Sequence, residues 1–367
     1  MPLVEHLNLP AFSRLREQGH EVLSLERALH QDIRELHIGL LNMMPDAALE
    51  ATERQFIRLV GNSNRIAQFY VYPFSLPGLQ RGDDAQMYIE QNYCRFEDLQ
   101  AAGLDALIIT GANVVNPDLS QEAFWEPLTR VIDWAEENVS SILCSCLATH
   151  AILKYRHGIE RQPLKEKRWG VYSHRVCPHG HPLLRDINTR FDVPHSRFNN
   201  ISRQQLESAG LTVLAESAEG GVHMAVSPDG FRVVYFQGHP EYDANSLLKE
   251  YKREALRFVN GELEQSPPFP EHYLSPEAAG HARPFIAQAQ ASLAQGKPLP
   301  ALLEQQVEPM LENTWGDTAK AVFNNWLGLV YQLTNLDRHL QYMPGTDRNN
   351  PLNLSREPNQ GASPCTP

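Results

Sequence analysis

A histidine and a glutamate stand two residues apart in Gln237-Gly238-His239-Pro240-Glu241-Tyr242-Asp243, directly after the apolar run 231–236. Side chains at i and i+2 of an extended segment point to the same side. Glu241 is thereby placed to orient the imidazole of His239, and the ring's other nitrogen is free to act as a base. A base needs a nucleophile to serve. The run 139–146, Val-Ser-Ser-Ile-Leu-Cys-Ser-Cys, reads as a buried strand ending in Cys146, and a helical pattern starts at once with Leu147. A strand-to-helix turn lifts its side chain above the sheet and leaves the next backbone N–H groups free to hold an oxyanion. The helix N-terminus also lowers a thiol pKa. Cysteine, histidine and glutamate in this chain order point to nucleophilic acyl transfer. Taken singly, each feature has a plainer explanation. A buried cysteine at a strand end is usually core filler, and His-Pro-Glu is usually just a turn. Their joint placement at the ends of two apolar runs favours a site.

The elements that must position these groups come from an ordinary globular composition. Of 367 residues 42% are hydrophobic and 21% charged, enough for one large or two modest domains. The net charge of −12 argues against a nucleic-acid surface. No apolar run reaches membrane-spanning length, and the first residues lack a signal-peptide pattern. Five irregularly spaced cysteines fit reduced thiols rather than a disulfide framework, so a soluble cytoplasmic protein is expected.

Residues 1–35 are polar and mixed and read as an arm. Strands are expected at 36–41, 66–72, 104–110 and 139–146. A helix carrying Leu49, Phe56, Leu59 and Val60 on one face follows the first strand, and another spans 122–137, with Pro127 as an irregularity. Strands alternating with helices imply an α/β fold, a mostly parallel sheet with helices on both faces, with ligands at the carboxyl ends of its strands. Gly111 and Cys146 fall on that rim. Further strands are expected at 211–215, 222–226 and 231–236, then a helix at 245–259. Residues 265–278 are Pro-rich and read as a linker. Residues 279–342 read as helical, with Trp315, Phe323, Trp326 and Tyr331 as an exposed aromatic segment that suggests a homodimer. The tail 344–367 reads as disordered.

The chain resembles the homoserine O-succinyltransferases. The residues that carry the resemblance are Leu41-Asn42-Met43-Met44-Pro45, Asn92-Tyr93-Cys94-Arg95-Phe96-Glu97-Asp98, Ile109-Thr110-Gly111-Ala112, Glu166-Lys167-Arg168-Trp169-Gly170-Val171-Tyr172, Pro194-His195-Ser196-Arg197 and Gly238-His239-Pro240-Glu241-Tyr242-Asp243. They follow the family's order from about residue 10 to 260. Asn324-Asn325-Trp326-Leu327 resembles its C-terminal helix. The resemblance implies a class I glutamine amidotransferase-like (flavodoxin-like) domain over 36–262, followed by a linker and helical extension over 263–343. It implies that Cys146 carries the acyl group, His239 is the base and Glu241 its partner. It places Lys167 and Ser196 in the substrate pocket. Glu250 and Arg253, at i and i+3 of a helix, share a face. They could hold the ammonium and carboxylate of an amino acid, although on their own they read as a surface ion pair.

In the same family, glycine at the position of Val115 accompanies succinyl transfer and glutamate accompanies acetyl transfer. Valine is neither, but its lack of charge leans towards succinyl. The expected substrates are succinyl-CoA and L-homoserine, with no cofactor. Backbone N–H groups of Leu147, Ala112 and Asn113 are expected to form the oxyanion hole. Acetyl-CoA as donor and serine as acceptor remain alternatives. A glutamine amidotransferase-type hydrolase is disfavoured because Ser145 and Leu147 replace the glycines that usually flank such a cysteine, and a non-catalytic binding protein is disfavoured by retention of all three catalytic residue types. His174, Cys177, His179, His181 and His195 are possible metal ligands by type, but their spacing matches no zinc pattern, and no metal is expected. The basic stretch 161–168 reads either as a solvated loop or as an attractor of coenzyme A phosphates.

Overall fold

A computed structural model describes residues 3–354 except 32, 65, 115, 178, 179, 299 and 301. Val115, His179 and the end of the tail therefore lie outside the described residues. Buried apolar runs must pair their backbone groups, and here they do so in one nine-stranded sheet. In chain order its strands are β1 (Glu35–Leu41), β2 (Gln68–Phe74), β3 (Ala106–Ile109), β4 (Ser141–Ser145), β5 (Gln162–Val176), β6 (Arg190–Asn200), β7 (Thr212–Ser217), β8 (Gly221–Val226) and β9 (Val233–Phe236). Their order across the sheet is β2-β1-β3-β4-β9-β8-β7-β5-β6. The first five of these neighbours pair in parallel. The rest pair antiparallel. The expected parallel sheet is thus present, with an antiparallel wing that the sequence did not announce. Residues 162–168 of the basic stretch, which read either as a solvated loop or as an attractor of coenzyme A phosphates, lie in β5 of the long β5–β6 hairpin.

Alternation along β1 shows why both faces are covered. Leu36, Ile38 and Leu40 enter one core, and Leu41 enters the other. The first core is completed by α1 (Pro10–Glu17), α2 (Asp46–Ser63) and α6 (Gly316–Leu333), through Phe12, Phe56, Phe323 and Trp326. Each such buried aromatic ring contributes about 1.5–3 kcal/mol. The second core is completed by α3 (Trp125–Asn138) and α4 (Leu147–His157), through Leu128, Ile132, Ala148 and Ile152. Pro127 falls in the first turn of α3, where no N–H is needed, so it interrupts nothing.

Residues 3–29 pack against this body through Leu3, Phe12 and Leu15. The chain after β9 forms α5 (Ser246–Val259) and then wraps back. Leu248 and Tyr251 of α5 meet Trp169 and Val171 of β5, Phe285 and Trp315 in a third core. Trp315, Phe323 and Trp326 are therefore buried in the chain's own interior. The exposed aromatic segment that suggested a homodimer is reduced to Tyr331. Among the described residues no helix is long and apolar enough to cross a membrane.

Candidate active site

Cys146 sits between the end of β4 and the first residue of α4, with φ 53° and ψ −111°. That backbone is strained for a residue with a Cβ, by an amount on the order of 1–3 kcal/mol. It is held because Cys146 N–H donates to Phe236 O of β9 at 2.8 Å. The thiol is half-buried and opens on a cleft of about 1210 Å³. Leu147, Ala112 and Asn113 line the same cleft. Leu147 N–H is at the first position of the helix, where no intrahelical acceptor exists. Cys144 differs sharply. It is fully buried, and burial pushes its thiol pKa well above the usual value.

His239 completes the pair. Its side chain is hydrogen-bonded to Cys146, and its Nδ1 lies 2.8 Å from Oε1 of Glu241. The two residues meet through a turn rather than along an extended strand. Tyr242 N–H donates to His239 O at 3.2 Å, with Pro240 at the second position, which pre-sets the turn's φ. Burial works to lower the His239 pKa. The Glu241 carboxylate and a Cys146 thiolate outweigh it and raise the pKa well above the usual value. The arrangement therefore favours the imidazolium form of His239.

Several residues that hold this loop carried no signal in the sequence. Arg58 donates to Glu241 O at 3.0 Å and pairs with Asp243, and Arg54 Nη2 lies 2.9 Å from the Asp243 carboxylate. Both arginines lie on α2, four residues apart, so they share a face. His239 N–H donates to Pro194 O at 2.8 Å. Trp315 Nε1–H donates to Tyr242 O at 2.9 Å, and Tyr273 OH donates to Ala244 O at 2.6 Å. The ring of Tyr242 stacks on His239 at 4.4 Å. Gly238 admits no side chain: a Cβ there would meet Val193 at 2.6 Å and His195 at 2.9 Å.

Residues 2–336 match the family model described as homoserine O-succinyltransferase. The homoserine O-succinyltransferase of Methylococcus capsulatus is 60% identical over 355 residues, covering 97% of this chain and 100% of that one. The chain belongs to the homoserine O-succinyltransferase family. Its counterpart from Nitrosococcus oceani is also 60% identical, over 97% of this chain and 99% of the relative. Among solved structures, glutamine amidotransferases from Thermotoga maritima and Methylobacillus flagellatus align with TM-scores of 0.42 and 0.43 at 10% and 11% identity. They cover 81% and 85% of this chain, and 98% and 97% of their own.

The pocket positions implied by the family resemblance assemble around Glu250. Its carboxylate accepts from Ser196 Oγ at 2.6 Å and Tyr242 OH at 2.7 Å, and lies 3.3 Å from Lys167 Nζ. Burial acts to raise the Glu250 pKa, but Lys167, Ser196 and Tyr242 hold it below the usual carboxylate value. Burial lowers the Lys167 pKa against the pull of Glu250. The ammonium also lies 4.1 Å from the centre of the Trp169 ring. Arg253, one turn after Glu250, is half-exposed at the cleft and lies 3.4 Å from Glu254. Glu250 and Arg253 are thus not an ion pair with each other.

The histidines divide between two places. His174 and His195 are 3.2 Å apart beneath the hairpin, whereas His181 faces Gly230 O at 3.1 Å. Among the described residues, no group of three or more His, Cys, Asp or Glu has the geometry to hold a metal ion.

Proposed function

We propose that this chain transfers the succinyl group of succinyl-CoA to the hydroxyl of L-homoserine through a thioester on Cys146, a step in methionine biosynthesis. The observation that carries this reading is the hydrogen-bonded series Cys146, His239, Glu241, with Cys146 opening on a cleft. The Cys146 thiolate attacks the thioester carbonyl. The N–H of Leu147 and those of Ala112 and Asn113 stabilise the resulting oxyanion. As the intermediate collapses, the C–S bond to coenzyme A breaks, the imidazolium of His239 supplies the proton that leaves with the coenzyme A thiol, and the succinyl group stays on Cys146. Homoserine then enters. His239, now neutral, takes its hydroxyl proton while the oxygen attacks the acyl-enzyme. Collapse releases O-succinylhomoserine and restores thiolate and imidazolium. Glu241 keeps the imidazole oriented and stabilises its cationic form.

Arg253 is the group suited to the homoserine carboxylate, because its fork faces the cleft and its ion-pair partner Glu254 is itself only partly buried. Glu250 positions Lys167 and Ser196 beside it. Val115 is the acyl-selectivity position on the family pattern. No cofactor enters this scheme. A cytoplasmic homodimer completes the reading. Exposed Tyr331, Leu336, Leu340 and Met343 support a self-association surface.

Incubation with succinyl-CoA alone, followed by peptide mass mapping, tests the mechanism. The expected result is one succinyl adduct on the peptide holding Cys146, absent in Cys146→Ala and kept in Cys144→Ser. An adduct that survives Cys146→Ala would sink the covalent route.

A further inference from the structure

Of the cations that line the cleft with Cys146, three have no part in the scheme above, and one of them, Arg257, is paired with Glu254 and Glu262; the other two have no such ion pair among the described residues. They are Arg161, the residue just before β5, and Arg197 of β6. Arg197 is 3% exposed. All its hydrogen bonds go to neutral acceptors: His195 Nδ1 at 3.1 Å, Asn199 O and Asn200 Oδ1 at 2.8 Å each, and Gly220 O at 2.7 Å. The direction of the first bond fixes what lies behind it. His195 Nδ1 accepts, so its Nε2–H donates to His174 Nε2 at 3.2 Å, and His174 Nδ1–H donates to Tyr172 O at 2.8 Å. Burial and Arg168 pull the Arg197 pKa down to about 9, which leaves it cationic at neutral pH.

Arg161 is held more loosely. One terminal nitrogen, Nη2, donates to Asn116 O at 2.9 Å and Pro117 O at 3.1 Å. Its Nε is buried with no hydrogen-bond partner among the described residues. The nearby carboxylates attract Arg161 but have other partners of their own. Asp118 and Glu160 pair with Lys154, and Glu122 accepts from Asn116 N–H. Cys146 lies near enough for its thiolate to act on both guanidinium groups. The acidic members of the cleft lining, Glu166, Glu254 and Glu271, belong to β5, α5 and the segment after α5. The residues from 112 to 161 that line the cleft with the thiol contribute no carboxylate.

Guanidinium groups beside a nucleophile, whose hydrogen bonds go to neutral acceptors, suit a ligand anion. The substrates offer two kinds: the phosphates of coenzyme A, and the free carboxylate at the end of the succinyl chain. The carboxylate is the better match. It lies one short acyl chain from the sulfur atom, whereas the phosphates lie beyond the long pantetheine arm. The carbonyls that fix Arg161 also belong to the segment that runs on from Ala112, Asn113 and Val114, which line the cleft beside the thiol. We propose that Arg161, with the buried charge of Arg197 in the same cleft lining, receives the distal carboxylate of the succinyl group while the acyl carbon is bonded to Cys146, and so selects succinyl over acetyl donors. This inference rests on the Cys146 acyl-enzyme reading above.

The test compares kcat/KM for succinyl-CoA and acetyl-CoA at saturating homoserine in the wild type, Arg161→Gln and Arg161→Lys. In Arg161→Gln the succinyl value is expected to fall roughly tenfold to hundredfold further than the acetyl value. Arg161→Lys should keep part of the preference, since charge remains and the fork is lost. Equal losses with both donors would assign Arg161 to coenzyme A phosphates and overturn the proposal, as would no loss. If Arg161→Gln does not fold by circular dichroism, the wild type and Arg161→Lys still decide. The methyl ester of succinyl-CoA should be at least about tenfold poorer than succinyl-CoA in the wild type, with a smaller penalty in Arg161→Lys. An ester used equally well, or a penalty of the same size in both proteins, would overturn it. Absence of any Cys146 adduct in the wild type would instead remove the acyl-enzyme reading itself.

Discussion

Glu53 is a carboxyl group buried in α2 with no exposure at all. Tyr88 OH donates to its two oxygens at 3.1 and 3.3 Å, and Tyr93 is also hydrogen-bonded to it. Burial, aided by Glu50 and opposed by the two tyrosines and Arg14, pushes its pKa from 4.5 up to about 7. A carboxyl group whose folded pKa is raised holds its proton longer when folded than when unfolded. Stability therefore falls as pH rises through the window from about 4.5 to about 7, and is level above it. Between pH 5 and pH 8 the loss is about 2.5 kcal/mol, at about 1.4 kcal/mol per unit. Glu53→Gln places a neutral amide there and removes the titration. The variant's melting temperature relative to wild type should therefore rise between pH 5 and pH 8. For a chain of this length the rise is about 3 °C, from an unfolding entropy of about 2.1 cal/mol/K per residue. Differential scanning calorimetry at the two pH values reads this directly. A difference between the proteins that stays flat to within about 1 °C would show that Glu53 ionises normally, and the burial argument would be wrong.

The catalytic assignments make sharper statements about rate. His239→Ala should lower turnover about 10²- to 10⁴-fold, and Glu241→Ala less, since Glu241 acts only through the imidazole; a His239→Ala enzyme near wild-type rate would put the base elsewhere. In Arg253→Lys, succinylation of Cys146 measured by stopped-flow should be almost unchanged while transfer to homoserine slows at least about tenfold; a slowed first half-reaction with normal transfer would reverse the assignment.

The parallel strands were legible because each is a short apolar run that ends at a polar or glycine break, as in Ala106–Ile109 before Thr110 and Gly111. Cys146 and His239 were legible because each follows such a run. The β5–β6 hairpin was not. Its inward side chains include His174, His195 and Arg197, which are buried but polar, so no apolar alternation marks it as sheet. Glu241 was paired correctly with His239 for an imperfect reason, since a Pro-initiated turn rather than an extended strand brings them together. Contacts such as Arg58 to Asp243 and Trp315 to Tyr242 join residues far apart in sequence, and no local pattern encodes them. The aromatic residues at 323 and 326 read as surface because the helix that carries them is apolar on the side facing α2 and the sheet, while Trp315, just before that helix, packs in the third core with α5, and the sequence does not say which neighbour covers either.

The bond from Trp315 to the backbone of Tyr242 has a consequence for the order of events during synthesis. Cys146, His239 and Glu241 have all been made by residue 241, yet the turn that carries the base is fastened by a residue made 74 positions later. At roughly 5–20 residues per second, the ribosome extends the chain for several seconds with every reactive side chain present and the Trp315 contact absent. The strained Cys146 backbone leans on Phe236 O, and β9 is in turn covered by α6, which is made later still. On the acyl-enzyme reading proposed above, the last contacts that hold the site would form only after residue 315 is made, which would spare the nascent chain from spending an activated acyl donor on water.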